Sequence, residues 1–236
     1  MAQSNRTPIF TKETFQFFRE LGRHNHKAWM DRHRERYREH VVAPFRLLLA
    51  RLMPDVLRLN PQFDTSGRTG SNFSRINRDI RFSKDKTPYR TRMYLIFSRG
   101  PKFDDGQLYV NVGADVVTVG FRIYGDTRRS TLARVAAARA QQNPDWLRRQ
   151  QRRLMRAYES YWYATEKGEW TKHPGWPVQA EDWERLKGWV VRRVLRPADA
   201  MHPGFDRQVA KIFRALYPLY AFTSCEQNQR KHKPQG

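Results

Sequence analysis

The chain has 236 residues, the size of one large domain, and 39% of them are hydrophobic, including 14 Phe, 10 Tyr and 7 Trp, so a core is available despite a mean hydropathy of -0.86. Lys and Arg number 45 against 23 Asp and Glu, a formal charge of +22 that favours polyanionic partners: nucleic acid first, then acidic membrane surfaces and phosphorylated small molecules. A generally basic protein without such a partner has the same composition. A single cysteine, Cys225, excludes an intramolecular disulfide. No Cys/His zinc spacing occurs, Met1 to Pro8 lacks the apolar core of a signal peptide, and no apolar run approaches the ~18 residues of a membrane span, so the expected location is cytoplasmic.

In chain order, residues 1–9 read as a flexible lead. Thr11 is placed as an N-cap, Phe15, Phe18 and Leu21 recur at helical spacing, and Gly22 closes the helix. A second helix starts near Asn25, with Trp29, His33, Tyr37 and Val41 at four-residue steps, and Pro44 opens a third through Phe45, Leu48, Leu49, Leu52 and Met53. Residues 60–125 are β-prone and punctuated by Gly, Asn, Ser, Asp and Pro. Alternation over 89–97 predicts a strand with Arg90 and Arg92 on one face, and Leu108–Val112 and Val116–Ile123 flank Gly113-Ala114-Asp115 as a hairpin. Helix is expected again over Arg128–Gln142 and from Pro144 through Leu147 and Leu154 to Tyr158, then a Gly/Pro loop over 168–178. The stretch Trp189–Leu195 fits strand or helix equally. Phe205, Val209, Ile212, Phe213 and Leu216 make a last helix ending near Pro218, and a polar basic tail over 223–236 is expected to be disordered.

The densest chemistry lies in Arg75-Ile-Asn-Arg-Asp-Ile-Arg-Phe-Ser-Lys-Asp-Lys-Thr-Pro-Tyr-Arg-Thr-Arg92, which holds seven basic residues and two aspartates. Guanidinium forks suit phosphate and carboxylate. The candidate anion-binding set is Arg75, Arg78, Arg81, Lys84, Lys86, Tyr89 and Arg90, with Asp79 and Asp85 orienting the cations. Arg–Asp pairs that merely staple a loop to the sheet are the competing reading. A second basic surface, Arg148, Arg149, Arg152, Arg153 and Arg156, sits in a segment (128–156) with nine arginines and one acid; Tyr158, Tyr161, Trp162 and Tyr163 follow it and either stack bases or continue a helical core stripe.

This central motif closely resembles that of the uncharacterised bacterial family called domain of unknown function 2461 (DUF2461). Phe10-Thr-Lys-Glu-Thr-Phe-Gln-Phe-Phe-Arg-Glu-Leu21 with Asn25-His-Lys-Ala-Trp-Met30 is similar to the family's opening, and Leu186-Lys-Gly-Trp189 with the last helix through Leu216-Tyr-Pro-Leu219 is similar to its ending. The resemblance covers residues 9–222 and implies a single domain, with no activity, substrate or cofactor attached to it. The segment Lys172-His-Pro-Gly-Trp176 and the hairpin over 108–120 depart from the family pattern.

Other groupings favour plain roles. His26, His33 and His40 are seven residues apart; on one helix each step rises ~10 Å, too far to share a metal. Asp104 and Asp105 before Gly106 fit a turn better than a cation site. No nucleophile elbow, Walker loop or dinucleotide fingerprint is present, and no metal or cofactor is implied. The expected architecture is α+β: a central antiparallel sheet with N-terminal and C-terminal helices packed on it. The leading functional expectation is binding of phosphate-bearing anions, DNA or RNA first, through residues 75–92. The alternative is an enzyme for a small phosphorylated or carboxylated substrate in a pocket formed by the same motif, and a third possibility is an interaction module. Whether the motif arginines are paired internally, and the oligomeric state, are left open.

Overall fold

The computed structural model describes residues 6–100, 105–124 and 132–224. Its centre is a six-stranded, fully antiparallel sheet with helices from both ends of the chain against it, the expected α+β arrangement. The strands are β1 (Arg92–Phe97), β2 (Gln107–Gly113), β3 (Val117–Tyr124), β4 (Glu159–Glu166), β5 (Glu169–Pro174) and β6 (Leu186–Leu195), in the order β1-β2-β3-β6-β4-β5. The expected hairpin at Gly113-Ala114-Asp115 joins β2 to β3.

Ile9 and Phe10 are already buried, so the lead is shorter than nine residues; residues 1–5 lie outside the described part. Helix α1 (Lys12–Arg23) buries Phe15, Phe17, Phe18 and Leu21. After it come α2 (Lys27–Arg32) and α3 (Arg34–Tyr37), which runs through a π-helical turn (Arg38–Val42) into α4 (Ala43–Leu59) without leaving helical backbone angles. Pro44 therefore does not open a helix. It has no N–H for the carbonyl of His40, four residues back. The turn widens there, and the buried Thr14 of α1 donates its hydroxyl to that carbonyl at 2.7 Å. A chain irregularity thus becomes a helix–helix contact.

The apolar side of the sheet carries Met93, Leu95 and Phe97 of β1, Leu108, Val110 and Val112 of β2, Val119, Phe121 and Ile123 of β3, and Trp189 and Val191 of β6, all buried. The short helices α7 (Ala180–Glu184) and α8 (Pro197–Ala200) precede and follow β6, and helix α9 (Phe205–Thr223) lies over β2 and β3, with Phe213 edge-on to Phe97. It continues through Pro218 for five further residues, because its end is closed from outside: the guanidinium of Arg139, on α5 (Leu132–Gln142), donates to the carbonyls of Ala221, Phe222 and Ser224 at 3.1, 2.7 and 2.9 Å. Thr223 and Ser224, expected in the tail, are buried; residues 225–236 and 128–131 lie outside the described part.

Two other expectations fail. Helix α6 (Pro144–Leu154) ends before Tyr158, and of the stretch expected as loop, residues 169–174 form strand β5 while 175–178 remain loop. Lys167 and Gly168 both take positive φ, 50° and 82°, and form the two-residue connection between β4 and β5. The glycine marks a hairpin. The ambiguous stretch Trp189–Leu195 lies in β6, which pairs with β3 and β4 near the middle of the sheet.

Between those central strands, a Cβ built on Gly120 falls 2.7 Å from the carbonyl oxygen of Val191 and 2.8 Å from the Cβ of Arg192. Backbone cannot yield as a side chain does. Gly120→Ala is expected to lower stability by about 1–3 kcal/mol, read as a lower urea midpoint at unchanged slope.

Candidate functional site

Residues 75–92 form an irregular hairpin that extends the sheet at the β1 edge. Asn77 bridges Tyr89, the Arg78 N–H donates to Pro88 at 2.8 Å, and the Arg90 N–H donates to Ile76 at 2.8 Å. Just upstream, Ser74 N–H donates to Tyr94 and Ile96 N–H donates to Asn72, so residues 72–74 line the outer edge of β1. The hairpin is fixed to the α1–α2 turn by one side chain. Asn25 accepts from the Tyr89 N–H at 3.0 Å and donates to its carbonyl at 2.9 Å, while the Tyr89 ring is buried. The family-like opening and the central motif therefore meet at Asn25.

Inside the hairpin much of the charge is engaged. Arg78 is mostly buried and donates to Asp85, Thr87 and Ser83. Arg81 grips Asp79 with two bonds, at 2.9 and 2.7 Å. Lys86 donates to the carbonyls of Ile80 and Arg81. The Thr87 N–H first, and then Arg78, hold the Asp85 carboxyl down to about 2; Arg81 holds Asp79 low as well. Arg78, Arg81 and Lys86 are accordingly braces rather than open anion contacts, with the two aspartates as their partners. Arg75, Lys84 and Arg90 carry no ion pair or side-chain hydrogen bond among the described residues. Arg75 lines a depression of about 250 Å³ with Arg46, Ser74 and Asn77, and neither Arg78 nor Tyr89 lines that depression.

The second basic surface lies on α6 and, for Arg156, on the turn that follows it. Arg148 pairs with Asp145, and Arg153 donates to Gln150 and to the Ala215 carbonyl of α9. Arg149, Arg152 and Arg156 are exposed. Strand alternation separates the aromatics expected beside it. Trp162 is buried, whereas Tyr161 and Tyr163 point to the opposite side of the sheet, so the stripe is not a helical one. The histidines have structural roles: His26 caps α2 by accepting from Trp29, and His33 stacks on Trp29 with ring centroids 4.1 Å apart. Asp105 is a buried hub bound by Arg99, Tyr220 and Ser224; Asp104 lies outside the described residues. No group of metal-ligating side chains occurs among the described residues.

The side of the sheet away from α9 holds an arrangement of a different kind. Tyr94 of β1, Tyr109 of β2 and Tyr124 of β3 surround the guanidinium of Arg122, which lies 4.7, 4.8 and 5.4 Å from their ring centroids. The band continues across β6 and β4. Arg192, which donates to the Glu159 carboxylate at 3.2 and 3.1 Å, lies 5.1 Å from the Tyr161 ring, and Lys172 of β5 lies 4.2 Å from the same ring. Tyr161, Tyr163 and the exposed Trp170 follow at 5.7 and 5.9 Å between centroids. Within it, Asn111 is buried, donates to Thr118 at 3.3 Å, and leaves its Oδ1 without a donor. Burial raises the pKa of Tyr109, Tyr161 and Tyr163, so these hydroxyls stay protonated at neutral pH and act as hydrogen-bond donors. At the β1–β2 end the band opens into a cavity of about 540 Å³.

A model of the conserved hypothetical protein family DUF2461 matches residues 13–222, nearly the whole chain. The chain belongs to the DUF2461 family. No curated protein matches it. In this DUF2461 chain the matched region holds both the braced hairpin and the aromatic band.

The band is not legible in the sequence because its members come from all six strands. The nearest signal was the period-two run Tyr161-Trp-Tyr163-Ala164, which competed with a helical reading from Leu154. Arg122, flanked by Phe121 and Ile123 in a predicted strand, was the other clue.

Two measurements check the hairpin. Asn25→Ala removes both bonds to Tyr89 and is expected to cost about 1–3 kcal/mol in chemical unfolding. By carboxyl NMR, Asp85 is expected to titrate near 2. Its depressed pKa means that its stabilising effect is present above the ordinary value of 3.8 and is lost as pH falls through about 2. In Arg78→Ala the midpoint should rise but stay below 3.8, because the Thr87 N–H remains.

Proposed function

We propose that this protein binds single-stranded nucleic acid across the aromatic band of its sheet. The observation that carries the reading is the interleaving of cations with tyrosines: Arg122 among Tyr94, Tyr109 and Tyr124, then Arg192 and Lys172 about Tyr161. Bases offer aromatic faces to stack and phosphates offer charge to pair, and a sheet presenting both in alternation meets both demands. Six strands at ~4.8 Å give a platform roughly 24 Å wide, suited to a short run of nucleotides. The sequence-wide charge of +22 draws such a ligand in.

Duplex is the poorer fit, since its bases are already stacked on one another. The motif residues Arg75, Lys84 and Arg90, the helical Arg149 and Arg152, and Arg156 in the turn after α6 then act as outlying phosphate contacts. An enzymatic role for the motif would require a substrate pocket at Arg75 and Arg78. Arg78 is consumed by Asp85, Thr87 and Ser83, and protonated tyrosines in the band are poor bases.

The test is fluorescence anisotropy with labelled single- and double-stranded oligonucleotides over a salt series. Single strands should bind more tightly, with a steep salt dependence. Tyr163→Ala/Trp170→Ala should weaken binding by roughly 10- to 100-fold, given ~1–3 kcal/mol per stacked base. Arg75→Ala/Arg90→Ala and Arg149→Ala/Arg152→Ala should have smaller effects. Absence of salt-sensitive binding, or loss confined to either arginine pair, overturns the assignment.

A further inference from the structure

We propose that the cavity at the β1–β2 end of the band receives a phosphorylated strand terminus, so that the protein binds nucleic-acid ends in preference to internal stretches. This rests on the reading of the band as a single-strand platform.

The cavity shares residues with the band. Gln107 accepts from Arg122 at 2.9 Å, and both line it. Its volume, about 540 Å³, falls in the range of ~300–1,000 Å³ typical of small-ligand sites. The far side is a wall. Asn72, 1% exposed, accepts from the Gly67 N–H at 2.8 Å and donates to the carbonyls of Asp64 and Ile96 at 2.7 and 3.0 Å. The Asp64 N–H donates to Ser98 at 2.9 Å, and the Ile96 N–H donates to Asn72 at 2.8 Å. Residues 64–72 are thereby stitched to β1, and Asp64, Arg68, Gly70, Ser71 and Asn72 border the cavity on that side, where in this proposal they stop a strand leaving the platform. At the other end the β4–β5 turn carries exposed Lys167, Gly168 and Trp170. A chain can run off the platform there but stops at the cavity.

The lining chemistry selects what stops. Arg68, Arg99 and Arg122 line the cavity with one carboxylate, Asp64. Arg99 is bound to Asp105, and Arg68 is largely exposed, 3.8 Å from Asp64. Burial works against ionisation of Asp64, but hydrogen bonds from the Ser66 hydroxyl and N–H and from Ser71 outweigh it and lower its pKa. Asp64 is thus an ionised acceptor, fit for a sugar hydroxyl. Arg68 and Arg122 favour phosphate. A terminal phosphate monoester carries about -1.5 to -2 charges at neutral pH, more than the single charge of an internal diester, so two guanidiniums beside one carboxylate discriminate in favour of the end.

The experiment compares one single-stranded dodecamer in four forms, with a 5′-phosphate, with a 3′-phosphate, unphosphorylated, and closed into a circle, by competition against a labelled strand. One phosphorylated linear form should bind at least about tenfold more tightly than the circle, about 1.4 kcal/mol. Arg68→Ala should abolish that difference and leave the affinity of the circle unchanged. Equal binding of circle and linear forms overturns the proposal while the platform reading stands. So does equal binding of phosphorylated and unphosphorylated linear strands. Binding of a free nucleoside monophosphate with no binding of any dodecamer makes the cavity a small-ligand site and overturns both readings, as does no binding at all.

Discussion

Side chains of a β-strand alternate, and six strands side by side turn that alternation into two opposed surfaces. Everything else in this molecule follows from how the two are used. Helix α9 seals one of them with Phe213 against Phe97, and the apolar residues of β1, β2, β3 and β6 are gathered there. That leaves the second surface exempt from making the core. It carries tyrosines in place of phenylalanines and accepts arginines, because a ring face can hold a guanidinium that oil cannot. Gly120 permits the close approach of β3 and β6 in the middle of this surface, beside Arg192.

The positive charge is distributed with the same division of labour. Some cations are structural members. Arg78 fills the inside of the 75–92 hairpin, Arg99 neutralises the buried Asp105, and Arg139 terminates α9. Others, such as Arg149 and Arg152, are exposed and carry no ion pair among the described residues. Arg122 and Arg192 form a third class, half-buried and held over aromatic rings. Those in the third class have lost part of their hydration to the fold and combine a ring face with one polar partner, Gln107 for Arg122 and Glu159 for Arg192. Net charge alone does not sort residues into these classes.

What was legible in the sequence was whatever depended on near neighbours. Phe15, Phe18 and Leu21 gave α1, alternation gave β1, and the Gly113-Ala114-Asp115 turn gave the β2–β3 hairpin. The family motif identified the family, and the competing stapled-loop reading anticipated Arg78–Asp85 and Arg81–Asp79. The failures share a cause. Pro44 reads as a helix start because its missing N–H is usually tolerated only there; here a hydroxyl from Thr14, on a separate helix, takes up the carbonyl of His40. Gly168 and Pro174 suggested a loop because hairpin turns and strand ends use the same residues as loops. The site was hidden more deeply still. Tyr94, Tyr109, Arg122, Tyr161 and Arg192 become neighbours only through the strand order, which no local pattern encodes.

That order also governs how the surface comes into being. Strand β6 pairs with β3, joining Val117–Tyr124 to Gly188–Leu195, and only then offers an edge to β4. The β4–β5 hairpin is local and can zip early, but it has nothing to lie against until β6 has crossed back to the centre. Closing such a long intervening loop is the slow part of assembling a sheet. During synthesis the chain must therefore emerge past Leu195 before the two halves of the aromatic band can meet, and until then the tyrosines of β2 and β3 and those of β4 remain on separate pieces. The last strand to be made is the one that joins the surface into a single piece.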